Sequence, residues 1–228
     1  MIHSKKITAL VPIKEHSERV KSKNFRNFGD KPLYHHIIGI LDKTYAIDNI
    51  IINTDSLIVK NEAPTLSPKI IILDRPKELI GDFVSVNRLI NHDIINFKSD
   101  IYIQTHATNP LLKPETIAKA LKKFVEVEDE YDSMFSVNRF QSRFYLHTGE
   151  PINHNPEELI RTQDLNPVFE ENSSFYIFTK ESFIKNNRRI GSLPFMYETS
   201  KIESTDIDDE FSFKLAEIFA LYSKDHLQ

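Results

Sequence analysis

Ile7-Thr8-Ala9-Leu10-Val11-Pro12 is an apolar run that reads as a buried strand. It opens into Ile13-Lys14-Glu15-His16-Ser17-Glu18-Arg19-Val20-Lys21-Ser22-Lys23-Asn24, a polar loop carrying the cations Lys14, Arg19, Lys21 and Lys23. Beyond it, Leu33, Ile37, Ile40 and Leu41 fall at helical spacing, which completes a strand, loop and helix. The cycle then recurs. Asn49–Asn53 and Lys69–Leu73 read as strands joined by a poorly defined link, Val86–Ile95 as a helix, and Ile101–Gln104 as a strand. Pro114 is placed to begin a helix whose Ile117, Ala120, Leu121 and Phe124 share one face, and Asp132–Val137 supplies a further strand. Alternation of this kind predicts an α/β fold with a doubly wound, mostly parallel sheet, whose ligands sit beyond the carboxyl ends of the strands at a topological switch point.

From about Asn138 to Asn172 the alternation gives way to a polar stretch bearing Pro and Asn, too long for an ordinary connection, and an arm or dimerisation insert is expected there. The core pattern resumes at Phe175–Phe178 and closes on a last helix carrying Phe211, Leu215, Ile218 and Phe219. A chain of 228 residues suits one main domain over 1–228, with the arm at 138–172 inserted in it.

Composition narrows the function. No apolar run reaches the roughly 18 residues of a membrane span, and the first residues lack a signal-like pattern, so a soluble, cytoplasmic protein is expected. With no cysteine there is no thiolate zinc site and no cysteine nucleophile. A net charge of -4 argues against nucleic acid as the main partner, while a local basic cluster still suits one polyphosphate. The first loop is such a cluster. It has no glycine, so it is neither a Walker loop nor a dinucleotide fingerprint, and on composition alone a solvated basic loop remains open. Asp206 and Asp208, two apart in a segment read as strand-like, can project to one side and suit a hard divalent cation; alternatively Asp208 or Asp209 caps the last helix.

The loop, with Phe28-Gly29-Asp30-Lys31-Pro32-Leu33, resembles the opening signature of the acylneuraminate cytidylyltransferase family of CMP-sugar synthetases. Ordered matches continue along nearly the whole chain: Asn53-Thr54-Asp55-Ser56, Asp74-Arg75-Pro76, Gly81-Asp82 with Ser85, Gln104-Thr105 with Asn109-Pro110-Leu111, and Asp206-Ile207-Asp208. The resemblance implies a Rossmann-like nucleotidyltransferase that moves CMP from CTP to the anomeric hydroxyl of an acidic sugar and releases pyrophosphate, with Mg2+ on Asp206 and Asp208. It implies that Lys14, Arg19 and Lys23 face phosphates, and that Asn24, Arg75 and Ser85 lie at the nucleotide. It places Gln104 at the sugar, and has Arg161 and Gln163 on an arm that reaches a neighbouring subunit's sugar site in a homodimer, Arg161 suiting a carboxylate.

Besides Lys14, which stands where the family usually has a phosphate-binding arginine, two positions depart from the pattern. Glu18 stands where a lysine is usual, with Arg19 beside it matching the related CMP-Kdo synthetases, and Glu170 stands where sialate-using members commonly carry an arginine. The second departure points away from sialic acid itself toward other acidic ulosonates. Ser85 and Gln104 also have plain readings, as a helix N-cap and a strand-end amide, and Arg75 as an ion-pair residue. His106 borders the expected sugar pocket. Two other functions remain to be separated by experiment: a nucleotide-sugar glycosyltransferase, and a non-catalytic nucleotide-binding protein.

Overall fold

The computed structural model describes residues 4–16 and 22–226. Its strands are β1 (Ile7–Ile13), β2 (Asn27–Phe28), β3 (Lys31–Pro32), β4 (Asn49–Thr54), β5 (Ile70–Asp74), β6 (Ile101–Thr105), β7 (Ser133–Phe140), β8 (Val168–Phe178) and β9 (Pro194–Glu198). Its helices are α1 (Leu33–Lys43), α2 (Leu57–Glu62), α3 (Val86–Asn96), α4 (Pro114–Val127), α5 (Lys180–Asn186) and α6 (Glu210–His226).

Seven strands form one sheet in the order β5-β4-β1-β6-β8-β7-β9, with β2 and β3 as a separate hairpin. The strands β5, β4, β1 and β6 run parallel, β8 is antiparallel to both neighbours, and β7 and β9 are parallel to one another. The expected mostly parallel, doubly wound sheet is therefore observed. From β1 the chain builds outward to β4 and β5, then returns to lay β6 on the other flank of β1, so the switch point lies between the carboxyl ends of β1 and β6.

Side-chain alternation divides the core. Ala9, Val11, Ile50, Ile52, Ile101 and Ile103 face α1 and α4, where Ile37, Leu41, Ile117 and Phe124 meet them. Leu10, Ile51, Tyr102, Tyr176 and Phe178 face the opposite way, against Ile90, Ile94 and Phe183 of α3 and α5. Burial on both faces explains why these strands read as continuous apolar runs.

The structure extends the sequence reading in four places. The undefined link between β4 and β5 contains the short α2, whose helical signal is weak because only Val59 in it is buried. Strand β8 begins seven residues before Phe175, because Val168–Glu171 pairs with the far end of β7 as a ribbon whose polar side chains face water. The arm region thus starts and ends in strand, and only residues 141–167 lie between β7 and β8. Edge strand β9 escaped periodicity because none of its residues is fully buried and its Met196 is exposed.

The candidate active site

The cleft at the switch point has a volume of about 440 Å3 and is lined by Lys14, Lys23, Asn24, Arg75, Asp82, His106, Ser173, Arg189, Asp206 and Asp208, among others. Residues separated by most of the chain meet here. Lys23 Nζ donates to the Ile207 carbonyl at 2.5 Å and lies 3.6 Å from the Asp208 carboxylate. Lys14 Nζ pairs with Asp82 at 2.5 Å, and the buried Asn24 donates through Nδ2 to the Lys14 carbonyl at 3.0 Å. Arg19 lies outside the described residues.

Burial of an apolar residue places the two aspartates. Ile207 is fully buried among Phe28, Leu33, Phe213 and Ala216, which fastens the segment to the β2-β3 hairpin and to α6. The segment is not the strand expected from sequence; it has no ladder partner and is held by the Ile207 amide donating to the Thr108 carbonyl at 3.0 Å. The flanking Asp206 and Asp208 nevertheless both line the cleft. Asp209, not Asp208, caps α6: its carboxylate accepts from the Ser212 amide at 2.7 Å, while Ser212 Oγ accepts from the Asp209 amide at 2.9 Å. Arg26 adds a second fastening, paired with Glu210 at 2.5 Å and stacked 4.0 Å over the Phe213 ring.

Arg75 forms part of the floor. Its guanidinium donates to Asn53 Oδ1 at 2.9 Å, to the Asn53 carbonyl at 2.8 Å and to the Ile13 carbonyl at 3.3 Å, with Asp55 3.8 Å away. It thereby ties β1 and β4 together under the cleft. Beneath it, the buried Asp93 accepts from Asn53 Nδ2 at 2.6 Å, and burial pushes its carboxyl up to about 6. Ser85 takes the helix-capping role, accepting from the Asn87 amide at 3.3 Å, and faces an adjoining groove with Arg88 and His92.

The far bank is built differently. Gln104 is fully buried at the end of β6 and its amide is occupied: Oε1 accepts from Arg189 Nη1 at 2.6 Å, and Nε2 donates to the Thr105 carbonyl at 2.8 Å. The lining groups at this end are Arg189 and His106. A guanidinium can only donate, which fixes the Gln104 amide orientation. His106 Nε2, 3.2 Å from Gln104 Nε2 and 3.4 Å from Arg189 Nη1, therefore faces two donors and accepts. Burial, then the nearby Arg189 and Lys23, push His106 down to about 4, so the ring is neutral at physiological pH. Arg189 stacks 3.5 Å over the Tyr176 ring.

Ser173 reaches the cleft through an irregularity in β8. Between the pairs Phe135↔Tyr176 and Val137↔Glu171, β7 advances two residues while β8 advances five, and Ser173 sits at a left-handed φ of 58°. The protrusion is held by buried amides. Asn172 Nδ2 donates to Asn138 Oδ1 at 3.0 Å and to Thr199 Oγ1 at 2.7 Å, and Asn138 Nδ2 donates to Glu170 at 3.1 Å. Ser204 Oγ donates to Asn138 Oδ1 at 2.8 Å, which links this bank to the segment leading into Asp206. Arg161 and Gln163 sit on the exposed arm between β7 and β8, with the Arg161 guanidinium paired to Asp164 at 2.7 Å.

Sequence reading thus brought Lys14, Lys23, Asn24, Arg75, Asp206 and Asp208 to one cleft, and missed Asp82, Ser173 and Arg189. The Gly81-Asp82 match was a signal for the first. Nothing in local spacing distinguished Arg189 from its neighbour Arg188.

A doubly wound sheet with a cation-rich cleft at its switch point defines a nucleotide-handling α/β protein. Residues 8–222 match the model of the family described as cytidylyltransferase, and the chain belongs to that family of enzymes. It is similar to the pseudaminic acid cytidylyltransferase of Campylobacter jejuni, 24% identical over 78% of this chain and 80% of that protein. It is also similar to the CMP-N,N'-diacetyllegionaminic acid synthase of Legionella pneumophila, 26% identical over 93% of this chain and 95% of that one. Among solved structures, a CMP:2-keto-3-deoxy-manno-octonic acid synthetase complexed with CTP superposes with a TM-score of 0.68 at 14% identity, covering 96% of this chain and 99% of that one.

Proposed function

We propose that this cytidylyltransferase transfers CMP from CTP to the anomeric hydroxyl of an acidic sugar of the ulosonic or nonulosonic class. The acceptor oxygen forms a bond to the α-phosphorus, the bond from that phosphorus to the bridging oxygen breaks, pyrophosphate leaves, and the hydroxyl proton is released. The observation that carries the reading is the meeting of Lys23 with Ile207 and Asp208, which puts the loop cations and the Asp206/Asp208 pair in one cleft. The acidic-sugar names of the relatives support the acceptor class.

Lys14 and Lys23 neutralise the polyphosphate and orient it for in-line attack. Asn24 and Arg75 hold the nucleotide end, and Arg19 is proposed to add a further cation in place of the usual lysine. Asp206 and Asp208 fit magnesium by donor chemistry. Two carboxylates share a cleft suited to phosphates and water, and no cluster of three or more potential ligands exists among the described residues that would make a closed protein cage. When bound there, magnesium supplies charge stabilisation at the α-phosphate. His106 is not poised as the general base, since its Nε2 already accepts from two donors.

The chain is further proposed to work as a homodimer in which the arm brings Arg161 and Gln163 to the neighbouring copy's acceptor. Exposed Tyr145, Leu146, Ile152 and Leu159 on that arm support the reading. No helix among the described residues is long and apolar enough to cross a membrane. A cytoplasmic setting is proposed because the reaction draws on CTP.

The test is pyrophosphate release from CTP and magnesium with pseudaminic, legionaminic, N-acetylneuraminic and Kdo acids, each product followed by mass. A CMP-sugar is the expected outcome. Transfer from a nucleotide sugar, or CTP binding with no turnover on any acid, would overturn the reading.

A further inference from the structure

Arg189 is a largely buried cation whose carboxylate partner is loosely placed. Its side chain is only 19% exposed, and the nearest carboxylate, Glu171, stands 3.9 Å away. Glu171 is itself engaged by the Tyr176 hydroxyl. The side-chain hydrogen bonds of Arg189 all leave from Nη1, toward Gln104 and His106, and both of those partners are neutral. Burying a guanidinium with so little compensating charge is costly, and unlike a lysine it does not escape the cost by losing its proton. Lys14 in the same cleft is matched more closely, with Asp82 at 2.5 Å, while Arg75 in the floor has Asp55 at 3.8 Å and fills its remaining donors with the Asn53 side chain and the Asn53 and Ile13 carbonyls.

The surroundings hold the fork in one pose. Tyr176 stacks under the guanidinium plane, Gln104 grips one end, and the Arg189 amide donates to Asn87 Oδ1 at 3.3 Å, which fixes the backbone after α5. The group lines the cleft with Ser173, and both meet Tyr176. A planar, preoriented guanidinium with unused N–H groups, flanked by a hydroxyl and a neutral imidazole, matches a carboxylate and adjacent sugar hydroxyls.

Resting on the function proposed above, we propose that Arg189 is the residue of this chain that receives the acceptor sugar's carboxylate, and so sets selectivity for acidic over neutral sugars. Gln104 then acts as the positioning residue that aims Arg189, with no direct contact to the sugar.

The experiment uses the full-length enzyme with whichever acid of the panel is turned over, and the primary carboxamide of the same sugar. Arg189→Met is expected to raise the acceptor KM about 30-fold while the CTP KM stays within about two-fold, and to abolish the preference for acid over amide. Arg189→Lys keeps the charge without the fork; a smaller rise in acceptor KM with part of the acid preference retained is expected, and it serves as the readout if the methionine variant fails to fold. An unchanged acceptor KM, or a persisting acid preference in Arg189→Met, overturns the assignment and leaves the proposed function standing. A parallel rise in the CTP KM also overturns it, by assigning Arg189 to the polyphosphate. Absence of turnover by the unaltered enzyme on every acid overturns the proposed function itself, and this inference with it.

Discussion

The two banks of the cleft hold their cations differently. On the bank formed by the β1 loop and the lead into α6, the described cations Lys14 and Lys23 have aspartates at 2.5 and 3.6 Å, Asp82 and Asp208, and Lys23 also reaches the Ile207 carbonyl. On the bank formed by β6, β8 and the turn after α5, Arg189 is held by neutral groups and a ring, with its carboxylate at 3.9 Å. The described pairs of the first bank can be exchanged for a polyphosphate and a cation. On the second, Arg189 is compensated only loosely by Glu171, which leaves its fork open to an incoming anion.

The sharpest way to break this comparison is at the carboxylates of the first bank. Asp208→Ala is expected to lower turnover by at least about 1,000-fold, because charge stabilisation at the α-phosphate is lost. Folding should survive, since Asp208 is half-exposed and Asp209 is the residue that caps α6. Circular dichroism together with a pyrophosphate assay checks both halves. Near-normal turnover would show that the aspartate pair is only structural.

A second variant asks whether the pair depends on its apolar anchor. Ile207→Ala removes a fully buried side chain packed on Phe28 and Phe213, and a loss of about 3 kcal/mol is expected from denaturant midpoints. If the anchor aims the carboxylates, kcat should also fall about ten-fold at temperatures where the variant is fully folded, with the acceptor KM little changed. An unaltered kcat would mean that Asp206 and Asp208 are aimed by the segment's hydrogen bonds to Thr108, Lys23 and Ser212 and not by the apolar anchor.

The same contrast governs what could be read from sequence. The first bank is local in kind: a strand, a basic loop, and two aspartates astride an isoleucine, each visible in a few consecutive residues and ordered along the chain. The parallel sheet was legible for the same reason, since Ile7–Pro12, Asn49–Asn53 and Ile101–Gln104 are buried on both faces and so are apolar throughout. The second bank is made by long-range placement. Arg189 becomes distinct from Arg188 only when β8 lies beside β6 and presents Tyr176 to it, and Ser173 reaches the cleft only because β8 slips register against β7. The polar half of β8 looked like loop because its partner is a two-strand ribbon in water and no helix covers it. Asp206–Asp208 resembled a strand because a buried residue between two polar, part-buried ones gives the same alternation whether or not a ladder forms.

The smallest effect concerns Asp93, the negative counterpart of Arg189 beneath the cleft. Both are buried charges with incomplete compensation, but a carboxylate can take up a proton where a guanidinium cannot shed one. Asp93 is pushed up to about 6 by burial, from an ordinary value of 3.8, despite hydrogen bonds from Asn53 and the neighbouring His92 and Arg75. The folded state therefore binds this proton more tightly than the unfolded chain. The resulting stability is fully present below about pH 3.8, and it is lost as pH rises through about 6. At pH 8 the ionised carboxylate destabilises the fold. Asp93→Asn keeps an oxygen for Asn53 Nδ2 and removes the charge, so it is expected to raise Tm by about 3 °C at pH 8, corresponding to about 1 kcal/mol, with a smaller change at pH 5. A fall in Tm at pH 8 would mean that the negative charge is needed to hold Arg75 in the floor; the floor would then resemble the charge-matched first bank rather than the bank of Arg189.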